Sequence, residues 1–104
     1  MKSKQRIKET GEVFTPPELV QKMLDNLDID WSNPPQNKTF LDPTCGDGNF
    51  LVELYNRGIP PENIYGVDLM FDNIEQCKYR MPLVPEKNLV QANALNFDYG
   101  SLLV

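Results

Sequence analysis

The stretch FLDPTCGDGNFLVEL, Phe40 to Leu54, decides how the chain is read. An apolar pair runs into Asp42 and Pro43, a threonine, a cysteine and two glycines follow, and then Phe50, Leu51 and Leu54 fall at helical spacing. A short buried strand, TFLD, therefore ends at Asp42, and a helix, GNFLVELYNRG, starts beyond Gly48 and stops at Gly58. At such a junction Gly46 and Gly48 admit backbone angles that other residues avoid and let a ligand come close to the main chain. The helix that follows offers unpaired N–H groups and a partial positive charge.

Working outward, the segment ETGEVFTPPELVQKMLDNLDI predicts a first helix, with Thr15 as N-cap, Pro16 at the first helical position and Glu18 completing a capping box. Leu19, Val20, Met23, Leu24 and Leu27 form its apolar face. DWSNPPQNK is a loop. Beyond Gly58, IPPEN is a turn, IYGVDL a second strand, and MFDNIEQCKYRM a helix with Phe71, Ile74 and Cys77 or Lys78 at near-helical spacing. NLVQAN is a third strand, and ALNFDYGSLLV fits no single element, an edge strand folded back being one possibility. Strands alternating with helices imply an α/β fold with a parallel sheet and right-handed crossovers.

Composition limits the functions open to such a fold. The 104 residues make one domain at most, 40% hydrophobic and 24% charged. Four of the ten basic residues are Lys2, Lys4, Arg6 and Lys8, so residues 9–104 carry six bases against fifteen acids. Residues 1–12 are expected to be a basic flexible segment and 13–104 the folded part. The acidic body has no surface to hold DNA unaided. There is no histidine, and Cys45 and Cys77 form no CxxC motif, so no metal is expected. No stretch reaches the length of a membrane span or resembles a signal peptide, and the thiols are expected to be reduced in a cytoplasmic protein.

Ligands of parallel α/β sheets sit beyond the carboxyl ends of the strands. Asp42, Asp68 and Asn93 each fall at such an end. Asp68 is placed to accept hydrogen bonds from both hydroxyls of a ribose. The dinucleotide fingerprint G-x-G-x-x-G fails, because Leu51 occupies the third glycine position. Asp42 would crowd a pyrophosphate, and suits a cationic ligand instead.

GEVFTPPELVQKML followed by FLDPTCGDGNFLVEL resembles the start of the N6-adenine DNA methyltransferases of restriction–modification systems and their phage relatives. That family carries G-x-x-[FY]-T-P, then D-P-x-C-G-x-G-x-F, then a strand ending in an acid, as in IYGVDLM, then a D/N-A-L segment, as in QANALNF. All four stand here in order, from about Lys8 to Tyr99. The resemblance implies a Rossmann-like S-adenosylmethionine-dependent methyltransferase fold, first half only. It implies that Phe14 and Thr15 contact the methionine end of the cofactor, and that Asp42 and the turn Thr44, Cys45, Gly46 to Gly48 cradle its amino and carboxylate groups. Asp68 would hold the ribose, Leu69 would lie against the adenine, Asn93 would bond the adenine amino group, and Ala94 would line its pocket. Against these stand plainer readings, Phe14 and Leu69 as core and Asn93 as a turn residue.

The family orients the target adenine with a [D/N]-P-P-[Y/F/W] loop after a fourth strand. The chain stops at Val104, before such a strand, so no catalytic residue is expected within it. Asn33-Pro34-Pro35-Gln36 reads like that loop, but it lies upstream of the glycine turn and Gln36 cannot stack on a base, which makes it a linker. Cys45 lies inside the cofactor turn and is structural, unlike the nucleophile of cytosine-C5 enzymes. DNA would be reached only through a missing or separate C-terminal half, and an exposed sheet edge invites a protein partner or self-association. The alternatives are a non-catalytic binding or partner module derived from a methyltransferase, and a related methyltransferase acting on protein glutamine, against which the T-P helix motif argues.

Overall fold

The computed structural model describes residues 14–103, the backbone alone at 103, so the expectation for the basic segment 1–12 lies outside the described residues. Helix α1 (Pro17–Asp25) leads into strand β1 (Phe40–Asp42), α2 (Asn49–Asn56), β2 (Ile64–Asp68), α3 (Phe71–Arg80), β3 (Leu89–Gln91) and α4 (Tyr99–Leu103). The three strands form one parallel sheet in the order β1-β2-β3, with Asp42 opposite Gly66 and Asp68 opposite Gln91. This is the expected α/β arrangement, with α2 and α3 as the crossovers. The last segment is a short helix, and among the described residues no strand folds back onto the sheet.

One core joins the layers. Val20 and Leu24 of α1, Leu51 and Leu54 of α2, Ile74 and Cys77 of α3, and Ile64 and Leu89 of the sheet are all buried in it. Ile64, Gly66 and Asp68 share one face of β2. A Cβ at Gly66 would lie 2.7 Å from Leu51 Cδ1, so the glycine is what allows α2 to pack this closely on the strand. α2 ends in a Schellman arrangement, Ile59 N–H donating to Leu54 O (3.1 Å) and Gly58 N–H to Tyr55 O (3.4 Å), with Ile59 and Leu54 both in the core.

The turns into β2 and β3 are built alike. Pro60 precedes a short 3-10 turn, Pro61–Asn63, and Pro85 precedes another, Glu86–Asn88. In each the asparagine N–H returns to the proline carbonyl at 2.9 Å. Each asparagine side chain then laces its turn to the preceding strand's base. Asn63 Nδ2 donates to Gln36 O (3.1 Å), and Asn88 Nδ2 donates to Glu62 O (3.2 Å) and Ile64 O (3.1 Å).

Four expectations are corrected. Pro16, not Thr15, is the N-cap of α1, and no side chain caps it. Pro16 is extended (φ −60°, ψ 146°), as a residue before proline must be, and its carbonyl receives Leu19 and Val20. The apolar face of α1 is split, because the helix buries only Val20 and Leu24 and leaves Leu19, Met23 and Leu27 exposed at 49%, 45% and 43%. β1 is half-buried rather than buried, since among the described residues it pairs on one side only. Phe71 is 61% exposed, and α3 packs through Asn73, Ile74 and Cys77 instead.

Candidate cofactor site

The turn after β1 is held from three directions. Asp42 Oδ1 accepts the Thr44 N–H (3.1 Å), Cys45 N–H donates to Val67 O (2.9 Å), and Gly46 N–H donates to Asp68 Oδ1 (3.1 Å). Gly46 (φ +56°) and Gly48 (φ +95°) both adopt left-handed angles. The space above them is also taken. A Cβ on Gly46 would meet the Phe14 ring at 3.0 Å, and one on Gly48 would meet Cys77 Sγ at 2.9 Å. The two glycines are thus required by backbone conformation and by close packing together.

Asp42 faces an open cleft of about 420 Å³ lined with Thr15, Met23, Leu41, Thr44 and Phe50. A smaller recess of about 30 Å³ shares Thr15, Asp42, Thr44 and Phe50 and adds Phe14, Cys45, Asp47 and Asn49. Burial pushes the Asp42 carboxyl above its ordinary range, the Thr44 N–H opposes this, and the Asp68 charge adds to it. A cation in the cleft would relieve the cost of that charge. Gly48 is the N-cap of α2, and no side chain caps the N–H groups of its first turn.

Asp68 is buried, 8% exposed, and already has protein partners. Besides Gly46 it accepts the Met70 N–H (3.0 Å) and the Asn73 side-chain amide (2.8 Å) at Oδ2. A carboxylate has about four lone-pair positions. Gripping two ribose hydroxyls would require the Asn73 amide to turn aside. Leu69 is 53% exposed, with its carbonyl receiving Gln91 Nε2 (3.2 Å). Asn93 heads a turn, its Oδ1 accepting the Leu95 N–H (3.0 Å), and Ala94 O receives the Tyr99 hydroxyl (2.8 Å). These three lie outside both cavities, and their link to the turn runs through the Ala92 N–H, which bonds Asp68 O (2.9 Å).

The Cys45 and Cys77 sulfurs are 3.8 Å apart, and both residues are buried. The hydrogen bond with Cys77 and burial push the Cys45 thiol far above its usual range. It stays protonated, in keeping with a structural cysteine. Gln36 bonds Pro34 O (2.9 Å) and Gly58 O (3.4 Å), which puts the Asn33–Gln36 loop against the C-terminal end of α2, away from the glycine turn. Asp47 in the recess belongs to the turn already assigned from the sequence, but sequence reasoning missed Asn49 and Phe50 there, and Asn73 and Arg80 beside the turn. Asn49 and Phe50 stand directly after Gly48, where a new helix's first side chains reach back over the turn.

A parallel sheet with crossover helices, a glycine turn after the first strand and an acid after the second defines a Rossmann-like unit of the methyltransferase type. The chain belongs to the N-6 DNA methylase family, whose model matches residues 1–93. It is 37% identical over 92 residues to the Type II methyltransferase M.VspI of Vibrio sp. (strain 343), which covers 86% of this chain and 22% of that enzyme. It is 43% identical over 51 residues to the Type I restriction enzyme MjaVII methylase subunit of Methanocaldococcus jannaschii, covering 49% of this chain and 8% of that subunit. The chain thus spans a minor part of the relatives' length. No solved structure matches it. Among the described residues no cluster of three or more metal-ligating side chains occurs, and no helix is long and apolar enough to cross a membrane.

Proposed function

We propose that this chain is the S-adenosylmethionine-binding portion of a site-specific DNA adenine-N6 methyltransferase. The reading is carried by the acid-lined cleft at the glycine turn, where a half-buried carboxylate with a raised pKa meets the uncapped start of a helix. Such a site favours a ligand with a cation and a carboxylate side by side, as a methionine moiety has. When bound, the cofactor supplies the methyl group at its sulfonium. Asp42 would receive the ammonium, the first turn of α2 the carboxylate, and Phe14 and Thr15 would close over that end. Asp68 would take the ribose, with Leu69, Asn93 and Ala94 around the adenine.

The groups that hold the flipped adenine would come from another stretch of polypeptide, because no Asn- or Asp-Pro-Pro-aromatic sequence follows β3 within these residues. Target recognition of DNA would come from the same source, in a cytoplasmic protein. The test is a ¹⁵N NMR titration of the chain with millimolar S-adenosylmethionine. Shifts concentrated at Thr15, Thr44 to Gly48 and Asp68, and abolished by Asp42→Asn, are expected. Shifts absent or confined to other surfaces would overturn the reading. The chain alone is expected to transfer no methyl group from labelled cofactor to unmethylated DNA.

A further inference from the structure

Asn49 is the first residue of α2, and its side chain joins three separate parts of the molecule. Its Oδ1 accepts a hydrogen bond from Arg80 Nη1 at the end of α3 (2.9 Å), and its Nδ2 donates to the Thr15 carbonyl (2.9 Å). Only this orientation of the amide satisfies both contacts, since an arginine has nothing but donors and a carbonyl nothing but acceptors. The same Arg80 nitrogen donates to Asp47 O inside the glycine turn (2.9 Å). Arg80 therefore fixes Asn49 relative to the turn, and Asn49 passes that position on to Thr15. Among the described residues no other hydrogen bond reaches the Thr15 carbonyl, because the first turn of α1 uses the Pro16 carbonyl instead.

This matters for the site because of what Thr15 carries. Phe14 packs its ring on Gly46, Thr15 lines the cleft and the recess beside Asp42, and Asn49 lines the recess itself. A helix directs its first side chains back beyond its own N-terminus. Asn49 thus reaches the Phe14–Thr15 strap across the place where the methionine end would lie. On the α1 side no side chain caps the helix, and the strap is tied there through the Pro16 carbonyl alone among the described backbone hydrogen bonds.

We propose that Asn49 is a positioning residue that sets the height of the Phe14–Thr15 strap over the glycine turn. By doing so it lets the site distinguish a cofactor that carries a methionine tail from a nucleoside thioether that lacks one. The inference rests on the cofactor reading above.

Asn49→Asp separates this role from a merely structural one. An aspartate there still accepts from Arg80 and suits the first turn of a helix, so the fold is kept, but it cannot donate to Thr15 O. Asn49→Ala removes both contacts without adding charge. Two quantities are read in the full chain. The first is amide hydrogen exchange at Leu19 and Val20, whose N–H groups bond Pro16 O beside the strap. The second is the ratio of affinities for S-adenosylmethionine and 5′-methylthioadenosine, measured by NMR titration.

Both variants are expected to speed exchange at Leu19 and Val20 while leaving β2 protected. Both should lower the affinity ratio about two- to tenfold, the size of one lost hydrogen bond, with 5′-methylthioadenosine binding unchanged. A ratio and an exchange pattern left intact by Asn49→Asp would overturn the proposal. So would an equal loss of affinity for the two ligands. A wild-type chain that binds neither S-adenosylmethionine nor 5′-methylthioadenosine would overturn the cofactor reading and the discrimination with it. The exchange rates would still decide whether Asn49 holds the strap.

Discussion

Asp42 sits where a carboxylate is costly and where a cation would be welcome. Burial raises its folded-state pKa above the ordinary 3.8. Its contribution to stability is then fully present below that value and is lost as pH rises through the folded pKa, so at neutral pH the charged group works against the fold. Asp42→Asn, whose amide oxygen can still accept the Thr44 N–H, is expected to raise the melting temperature at pH 7 and to leave it unchanged below pH 3.8, as thermal scans would show. The same substitution should weaken cofactor binding. In the wild type, affinity should climb with pH through the raised pKa, because a bound cation favours the charged carboxylate. Cys45 behaves oppositely. Held neutral by Cys77 and burial, it should resist iodoacetamide in the native chain and react only on unfolding, which mass spectrometry can follow. At this scale the sequence pattern located the glycine turn and both acids, because backbone-permissive glycines and strand-ending acids leave a mark in composition. It could not show that Asp68 spends its oxygens on Gly46, Met70 and Asn73, since Gly46 comes from 22 residues away and the Asn73 amide reaches back only once α3 has formed.

Among the elements, α1 is the one whose character depends most on its surroundings. Its periodicity promised one wide apolar face, and the helix buries a narrow seam of Val20 and Leu24. The rest of its attachment is polar. Arg57, just past the end of α2, pairs with Asp25 (2.9 Å) and Glu53 (2.8 Å), donates to Gln21 O (3.3 Å), and lies 5.0 Å over the Trp31 ring, whose Nε1 donates to Leu24 O (3.1 Å). Asp25 is largely exposed, so its pair with Arg57 counts for little, and the stacking and the Glu53 pair carry most of the effect. Arg57→Ala should therefore cost about 1–2 kcal/mol in chemical denaturation. A loss near zero would mean that the Val20 and Leu24 seam suffices. Periodicity gives the existence and order of every helix and strand up to β3, because burial repeats with the period of the element. It does not give which half of a face finds a partner, as Leu19, Met23 and Phe71 illustrate, because that depends on distant chain. The Thr15 cap failed for a local reason, two consecutive prolines that move the start of the helix on by one residue.

For the whole molecule, the flank of β1 is the outstanding feature. It is half-buried, pairs with β2 alone among the described residues, and runs beside the exposed apolar residues of α1, with Met23 and Leu41 in the same cleft. Unpaired backbone groups next to apolar side chains are a template for another strand. Sedimentation is expected to show association that grows through the micromolar range. Met23→Glu combined with Leu27→Lys, both on the exposed stripe, should reduce it. A monodisperse, sharply melting monomer at every concentration would show that the flank is not sticky.

Laced along its base by Asn63 and Asn88 and gathered at its other end through Asp68, the sheet is pivoted like a folding fan. Thermal breathing should then be lopsided. The ribs should spread first at the tips, where Gly46 hangs on the Asp68 carboxylate and Ala92 on the Asp68 main-chain carbonyl, while the pivot stays shut. Amide exchange should accordingly be faster at Gly46 and Ala92 than at Asn63 and Asn88. Asn88→Ala, which loosens the pivot, should even out that gradient.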